Sequence, residues 1–141
     1  MRKFLLLGML FVFLKVSAVD NDIVRVLKYV ESSNDSYAIG DGGNSLGVLQ
    51  IGKAVVLDVN IYYGTHYHHY DMFDEACAIK VTILYMKMGA KRYFKKYGIH
   101  ATEEVLVRNH NGGIYQGYHI ETTKEYYRRY LKWKEILKKG E

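Results

Sequence analysis

Two acidic residues lie ten positions apart, one before a glycine-rich loop and one inside it. Glu31 ends a short apolar run, and Asp41 lies in the polar loop that follows. A flexible loop between two such residues can bring both carboxyl groups to one cleft. Cleavage of a glycosidic bond uses one carboxylic acid to protonate the leaving oxygen and a second carboxylate across the bond. The pair therefore indicates glycoside cleavage as a candidate chemistry.

The segment before Glu31 is predicted to be an amphipathic helix. Asp20, Asn21 and Asp22 are typical helix-start residues. The apolar residues that follow share one helix face: Ile23, Val24, Leu27 and Val30. Glu31 projects at the edge of this apolar stripe. That position partly shields the carboxyl group from water, as suits a group that must donate a proton, although an ordinary charged residue at a helix end is the alternative.

The loop and the segment after it are predicted to form the β part of the molecule. Residues 32–44 are rich in Ser, Asn, Asp and Gly, as loops are, and residues 45–51 alternate well enough to predict one short strand of a small sheet. Gly47 marks a place where a side chain would obstruct a neighbour. Gln50 is a polar residue in this otherwise apolar strand, so its amide needs a partner, either a ligand or the backbone.

Helical patterns dominate the rest of the chain. The predicted helices cover residues 53–62, 74–88, 90–97 and 103–110, followed by one final helix. Gly89 is expected to end or bend the longest of them, and Thr102 to cap the fourth. Thr122 and Glu125 predict a capping box for the final helix, which carries Tyr126 on its inward face. The pattern predicts a single α+β domain, predominantly helical, with one small hairpin or sheet.

The Asn-His-Asn-Gly-Gly stretch at residues 109–113 has two interpretations. Asn-Gly-Gly is a common helix stop, which is a purely structural role. The functional interpretation is that the side-chain amides of Asn109 and Asn111 face the same cleft as Glu31.

The first 18 residues resemble a secretory signal peptide. Arg2 and Lys3 precede an apolar run over residues 4–14, and small residues at 16–18 predict cleavage after Ala18. The run is shorter than the ~20 residues of a transmembrane helix, although an uncleaved anchor is the alternative. Export would place the domain, residues 19–141, in the periplasm or outside the cell.

Removal of residues 1–18 would leave the chain nearly neutral. It takes away three basic residues, so the formal net charge falls from +5 to +2. A charge so close to balance gives little support to nucleic-acid binding. The sequence thus predicts no nucleic-acid partner, and membrane contact only through the signal peptide.

Cysteine and histidine residues do not predict a disulfide or a metal centre. Cys77 is the single cysteine, so no intramolecular disulfide can form, and its helical neighbours predict a buried, inert thiol. His66, His68 and His69 lack the regular spacing of metal ligands. We expect no metal or other cofactor, and we interpret the tyrosines and histidines of residues 62–70 as a loop that lines the cleft.

Four motifs together resemble the lysozyme superfamily, specifically the soluble lytic transglycosylases and goose-type lysozymes. The motifs are Glu31-Ser32-Ser33, Gly47-Val48-Leu49-Gln50-Ile51, Asn109-His110-Asn111-Gly112-Gly113 and Thr123-Lys124-Glu125-Tyr126. They are similar to the family's Glu-Ser, Gly-Leu-x-Gln, Asn-x-Gly and late tyrosine motifs, and they occur in the same order over nearly all of residues 19–141.

The resemblance implies a fold, a substrate and a set of roles. The fold would be lysozyme-like, with the small hairpin or sheet lining the cleft, and a monomer would act on peptidoglycan glycan strands without a cofactor. Glu31 would be the catalytic acid and Tyr126 its hydrogen-bonding partner. Gln50, Asn109 and Asn111 would hold substrate amides.

The sequence departs from both branches of the family. Residues 40–44 are closest to goose-type lysozymes, in which an aspartate at the position of Asp41 helps to position the hydrolytic water. Those enzymes carry another aspartate where this chain has Gly52, and the proline common in the transglycosylase loop is replaced near Ser36. Hydrolysis, which Asp41 slightly favours, and transglycosylation both stay open, as does a non-catalytic wall-binding or structural role.

Overall fold

The computed structural model describes residues 21–141, so the predicted signal peptide lies outside the described residues. Within them, three very short strands form a small antiparallel sheet, and most other residues are helical. The helices are α1 (residues 21–32), α2 (Lys53–Tyr63), α3 (Glu75–Tyr97), α4 (Glu103–Gly112) and α5 (Glu121–Lys139). The strands are β1 (Ile39–Gly40), β2 (Ser45–Leu46) and β3 (Ile51–Gly52), and 3-10 turns cover Asp41–Gly43, His69–Phe73 and Gly117–His119. The predicted α+β class, predominantly helical, is confirmed.

Helix α1 presents its apolar stripe to the core as predicted. Ile23, Val24 and Leu27 are buried, and Val30 is half-buried. The end of α1 is tied to the sheet by Ser32, whose hydroxyl donates to the carbonyl of Val48 at 2.8 Å. This contact fixes the position of the last turn of α1, which includes Glu31.

The prediction of one strand over residues 45–51 is wrong. β2 and β3 are separate strands that pair with each other, Ser45 with Gly52 and Leu46 with Ile51. The turn between them contains two residues in the left-handed region, Gly47 with φ 78° and Gln50 with φ 48°. A continuous strand cannot accommodate these angles. The chain therefore reverses, and the apolar residues 48 and 49 are buried in a turn instead of a strand.

Helix α3 is one continuous helix of 23 residues, so the predicted break at Gly89 is wrong. Gly89 is buried, and a Cβ there would lie 2.9 Å from Cγ2 of Ile114. The glycine thus allows the loop after α4 to pack against the helix. Asp74 caps the helix by accepting from the Cys77 amide at 2.9 Å. Cys77 is half-buried, and desolvation raises the pKa of its thiol, so the thiol stays protonated near neutral pH.

The last two helices start differently from each other. Thr102 caps α4 as predicted, with its hydroxyl accepting from the Val105 amide. The capping box predicted for α5 is wrong: the chain is already helical at Glu121, so Thr122 lies inside the first turn, and no side chain caps this helix. A buried polar cluster joins α5 to α4 instead, because Thr123 accepts a 2.9 Å hydrogen bond from Nε of Arg108.

No helix within residues 21–141 has the length and apolar character needed to cross a membrane.

Replacement of Gly47 by alanine should destabilise the fold strongly. A Cβ at Gly47 would lie 1.8 Å from the carbonyl oxygen of Met72, and φ is 78°. Backbone must therefore move, and we expect a loss of roughly 3 kcal/mol or more in the free energy of unfolding, measured by urea denaturation. Gly64→Ala is the matched control, since its φ is 66° but nothing lies within 4 Å of the added Cβ. It should cost only about 1 kcal/mol, and equal costs for the two variants would contradict the steric argument.

Candidate functional site

An open cavity of about 300 Å³ lies where the end of α1, the sheet, α3 and α4 meet. Its lining is mostly polar and includes both acidic residues singled out in the sequence. The lining residues are Glu31, Asp41, Ser45, Gln50, Ile51, Gly52, Val55, Thr82, Tyr85, His110 and Asn111.

Glu31 is held from one side by two residues that are distant in sequence. The Tyr126 hydroxyl donates to its Oε1 at 2.5 Å, and Nε2 of His110 lies 3.2 Å from the same oxygen. The side chain of Glu31 keeps 17% of its surface exposed, whereas Tyr126 is almost fully buried. Oε2 has no hydrogen bond to the described residues. The carboxyl group is therefore anchored through one oxygen, and the other can contact a ligand in the cavity.

Tyr126 is a neutral donor throughout the physiological pH range. Burial of its hydroxyl, together with the nearby charge of Glu31, holds the pKa of Tyr126 well above its ordinary value near 10. The predicted contact between Tyr126 and Glu31 is present, although the residues are 95 positions apart.

Asp41 lines the same cavity as Glu31, so the structure brings the two acids together as the sequence suggested. It is exposed and begins a 3-10 turn with φ 51°, a left-handed angle that aspartate tolerates better than most residues. Ser45 donates a 2.6 Å hydrogen bond to its Oδ2. The carboxylate is thus oriented by the first residue of β2.

Gln50 and Asn111 reach the cavity as predicted, but with different capacities for binding. Both N–H groups of the Gln50 amide are in use, because Nε2 donates to the carbonyls of Ala38 at 3.1 Å and Gly47 at 2.9 Å. Only its Oε1 is left for a ligand. Asn111 is exposed at the cavity edge on α4, where both ends of its amide can meet a ligand.

The structure does not bring Asn109 to the cavity. Its side chain is almost fully buried on the other side of α4, where Oδ1 accepts from the Tyr118 amide at 3.1 Å. The reason is geometric: α4 continues through Gly112, and residues two apart on a helix point in nearly opposite directions. Asn109 and Asn111 therefore cannot face one cleft.

Several residues that line the cavity were not predicted as site residues, among them His110, Thr82 and Tyr85. His110 lies between the two asparagines and was assigned no role. Thr82 and Tyr85 lie three positions apart on the buried face of α3, and the Thr82 hydroxyl has no hydrogen-bonding partner among the described residues. Their spacing could have revealed them, because it places two polar groups on one otherwise apolar face of a helix.

The histidine-rich segment contacts the sheet through His69. Nε2 of His69 lies 2.8 Å from the carbonyl of Ile51, and Asp71 accepts from the His68 amide at 2.7 Å. None of residues 62–70 is among the lining residues, contrary to the interpretation as a cleft-lining loop. In the part of the chain that the structure describes, no three His, Cys, Asp or Glu side chains cluster as metal ligands would.

No protein-family model, curated protein or solved structure matches the chain.

The buried tyrosines should make the fold sensitive to alkaline pH. Burial raises the pKa of Tyr126, and likewise that of Tyr130, in the folded chain. The unfolded chain then loses these protons first, so stability is complete below about pH 10 and falls as pH rises further. Each tyrosine should contribute about 1.4 kcal/mol per pH unit to this fall. In urea denaturation, the free energy of unfolding of Tyr126→Phe should fall less steeply with rising pH than that of the wild type.

Tyr70→Phe is the control for this measurement, because Tyr70 is 79% exposed. The free energy of unfolding of Tyr70→Phe should fall with rising pH as steeply as that of the wild type. If the free energy of unfolding of Tyr126→Phe falls as steeply as that of Tyr70→Phe, the buried phenol is not the source of the pH dependence.

Proposed function

We propose that this chain is a peptidoglycan-degrading glycosidase with a lysozyme-like fold. It cleaves the β-1,4 bond between N-acetylmuramic acid and N-acetylglucosamine, with Glu31 as the general acid. The observation that carries the proposal is the Glu31 carboxyl group, which opens into a polar cavity, is held by Tyr126 and shares that cavity with Asp41. Carboxyl groups and water suffice for this chemistry, so the proposal includes no metal or cofactor.

The anchoring of Glu31 suits proton donation. Oε1 accepts from Tyr126 and lies beside His110, so a proton on the carboxyl group belongs on Oε2. That oxygen would deliver it to the leaving sugar oxygen as the ring develops oxocarbenium character. Because Tyr126 stays neutral, it can hold the carboxyl group in the same orientation before and after the transfer.

Two routes complete the reaction. In hydrolysis, Asp41 activates a water on the other face of the sugar, and the anomeric configuration inverts. The hydrogen bond from Ser45 to Oδ2 leaves Oδ1 of Asp41 for that water.

In transglycosylation, the 6-hydroxyl of muramic acid attacks, Glu31 returns as the base, and a 1,6-anhydro sugar forms without Asp41. The position of Asp41 on the cavity slightly favours hydrolysis.

The acetamido groups of the substrate would find hydrogen-bonding partners at the cavity edge. Asn111 offers an amide that can donate and accept, and Gln50 offers its Oε1. The predicted N-terminal signal peptide supports export, which would bring the enzyme to its wall substrate.

A non-catalytic wall-binding protein of the same fold is the alternative from another class. Such a protein would use the cavity to bind glycan without breaking it. It has no need for an acid fixed by a buried tyrosine, so the contact between Tyr126 and Glu31 favours the enzyme.

Replacement of Glu31 by glutamine should abolish the release of soluble fragments from peptidoglycan sacculi. The amide cannot donate a proton to the leaving oxygen as a carboxylic acid does, so we expect a loss of at least about 100-fold in rate. Glu135→Gln is the matched control, since Glu135 is exposed on α5 and remote in sequence from every cavity residue. Binding to sacculi should persist in both variants. Wild-type protein that is folded and binds sacculi but releases nothing would show the wall-binding alternative to be correct.

Replacement of Asp41 by asparagine should separate the two routes when the products are weighed by mass spectrometry. If water is the acceptor, the wild type yields reducing sugars and Asp41→Asn loses at least about 100-fold in rate. Products lighter by one water, formed at an undiminished rate by Asp41→Asn, would establish transglycosylation and leave Asp41 a turn residue.

A further inference from the structure

The C-terminal end of α3 projects from the molecule as a tip, defined here as residues 91–100. Seven consecutive residues, 94–100, are exposed at the end of the helix. Three large apolar or aromatic side chains are among them: Phe94, Tyr97 and Ile99 are 47%, 41% and 59% exposed. Apolar side chains grouped on a protrusion indicate a contact surface.

The tip lies in the most basic segment of the chain. Residues 76–102 contain six lysines and arginines and no acidic residue. Since the chain from residue 19 carries +2 and this segment +6, the remainder carries −4. Lys91 and Lys95 lie four positions apart, as do Arg92 and Lys96, and like charges at this spacing destabilise a helix. None of these four side chains forms an ion pair with a described carboxylate.

A groove of about 460 Å³ runs beside the tip. Its cations come from α3 and its far wall from the loop after α4; the lining residues are Arg92, Tyr93, Lys95, Lys96, Ile114, Tyr115 and Tyr118. The Arg92 guanidinium lies 3.9 Å above the Tyr115 ring, an arrangement that leaves its N–H edge open to an anion.

The tyrosine wall of the groove is fixed and neutral. The Tyr118 hydroxyl donates to that of Tyr97 at 2.7 Å, and the rings of Tyr93 and Tyr118 meet edge to face at 5.2 Å. Burial raises the pKa of Tyr118 to about 12, so this wall adds no negative charge. The groove thus presents cations on a rigid aromatic support, which suits phosphate groups.

We infer that the tip and the groove together bind the surface of a membrane that contains anionic phospholipid. Lys95, Lys96 and Arg92 meet the headgroup phosphates, while Phe94, Tyr97 and Ile99 enter the boundary between headgroups and acyl chains. A polyanion in water, such as a nucleic acid, would neutralise the cations but offer Ile99 no apolar surroundings. An anionic bilayer supplies negative charge for the cations and an apolar environment for Ile99.

This inference is independent of the proposed glycosidase activity. It differs from the sequence-based expectation that only the signal peptide contacts a membrane. The end of α4 and the loop after it link the two surfaces, because Asn111 on α4 lines the candidate site and Ile114 in the loop lines the groove. A molecule held at the membrane by its tip would carry out its catalysis close to that surface.

Co-sedimentation of the full chain with lipid vesicles tests the inference. We expect binding to vesicles of equal parts phosphatidylglycerol and phosphatidylcholine, weakened by salt, and much weaker binding to phosphatidylcholine alone. Arg92→Glu/Lys96→Glu should weaken binding to the anionic vesicles by roughly 30-fold or more. Phe94→Ser/Ile99→Ser should weaken it as well, because it removes the apolar contact. Residues 1–20 are common to all variants and contribute equally to each.

Lys132→Glu/Lys138→Glu is the matched control, because it makes the same change in charge on exposed positions of α5. It should bind anionic vesicles nearly as the wild type does. Equal binding to both vesicle compositions, or equal loss in the control and the Arg92/Lys96 variant, would overturn the inference. So would tight binding of a short oligonucleotide that survives Phe94→Ser/Ile99→Ser while vesicles are not bound, which would identify a nucleic-acid surface.

Discussion

The hydrogen bond from Tyr126 to Glu31 is the interaction on which the candidate site depends. It joins the first and last helices of the described chain across 95 residues. A buried hydroxyl without a partner is costly, so the docking of α5 and the orientation of the carboxyl group are energetically linked. The same contact selects which carboxyl oxygen faces the cavity. His110, which approaches from α4, makes this one oxygen the meeting point of three helices.

The opposite side of the cavity depends on close approaches of the backbone. Gly47 allows the turn between β2 and β3 to approach Met72 more closely than any residue with a Cβ could. Ser32 ties that turn to the end of α1, and Gln50 closes it with both N–H groups of its amide. Ser45 then orients Asp41 from β2. A sheet of three two-residue strands is too small to hold such a site alone, so side-chain bonds to loops and to α1 supply the rigidity.

Charge is distributed unevenly along residues 19–141, which carry +2 in total. Residues 76–102, which include nearly all of α3, carry +6, whereas residues 19–75 carry −6 and residues 103–141 carry +2. Such an arrangement orients the molecule toward an anionic surface, because only one part of it attracts that surface strongly. The aromatic and aliphatic side chains at the same tip add a requirement for an apolar environment, which separates a lipid interface from a soluble polyanion.

The sequence by itself determined most of the helices, the cap of α4, the inward stripe of α1 and the two acids and tyrosine of the site, because these follow from local periodicity and residue chemistry. It could not determine the turn within residues 45–51, since backbone angles at Gly47 and Gln50 are imposed by packing against Met72 and Ala38. It could not place Asn109 or His110 either: α4 continues through Gly112, two residues past the predicted end, and the helix turns Asn109 away from the cavity that Asn111 lines. Contacts between residues far apart in the chain decided those positions, and only the tertiary structure contains them.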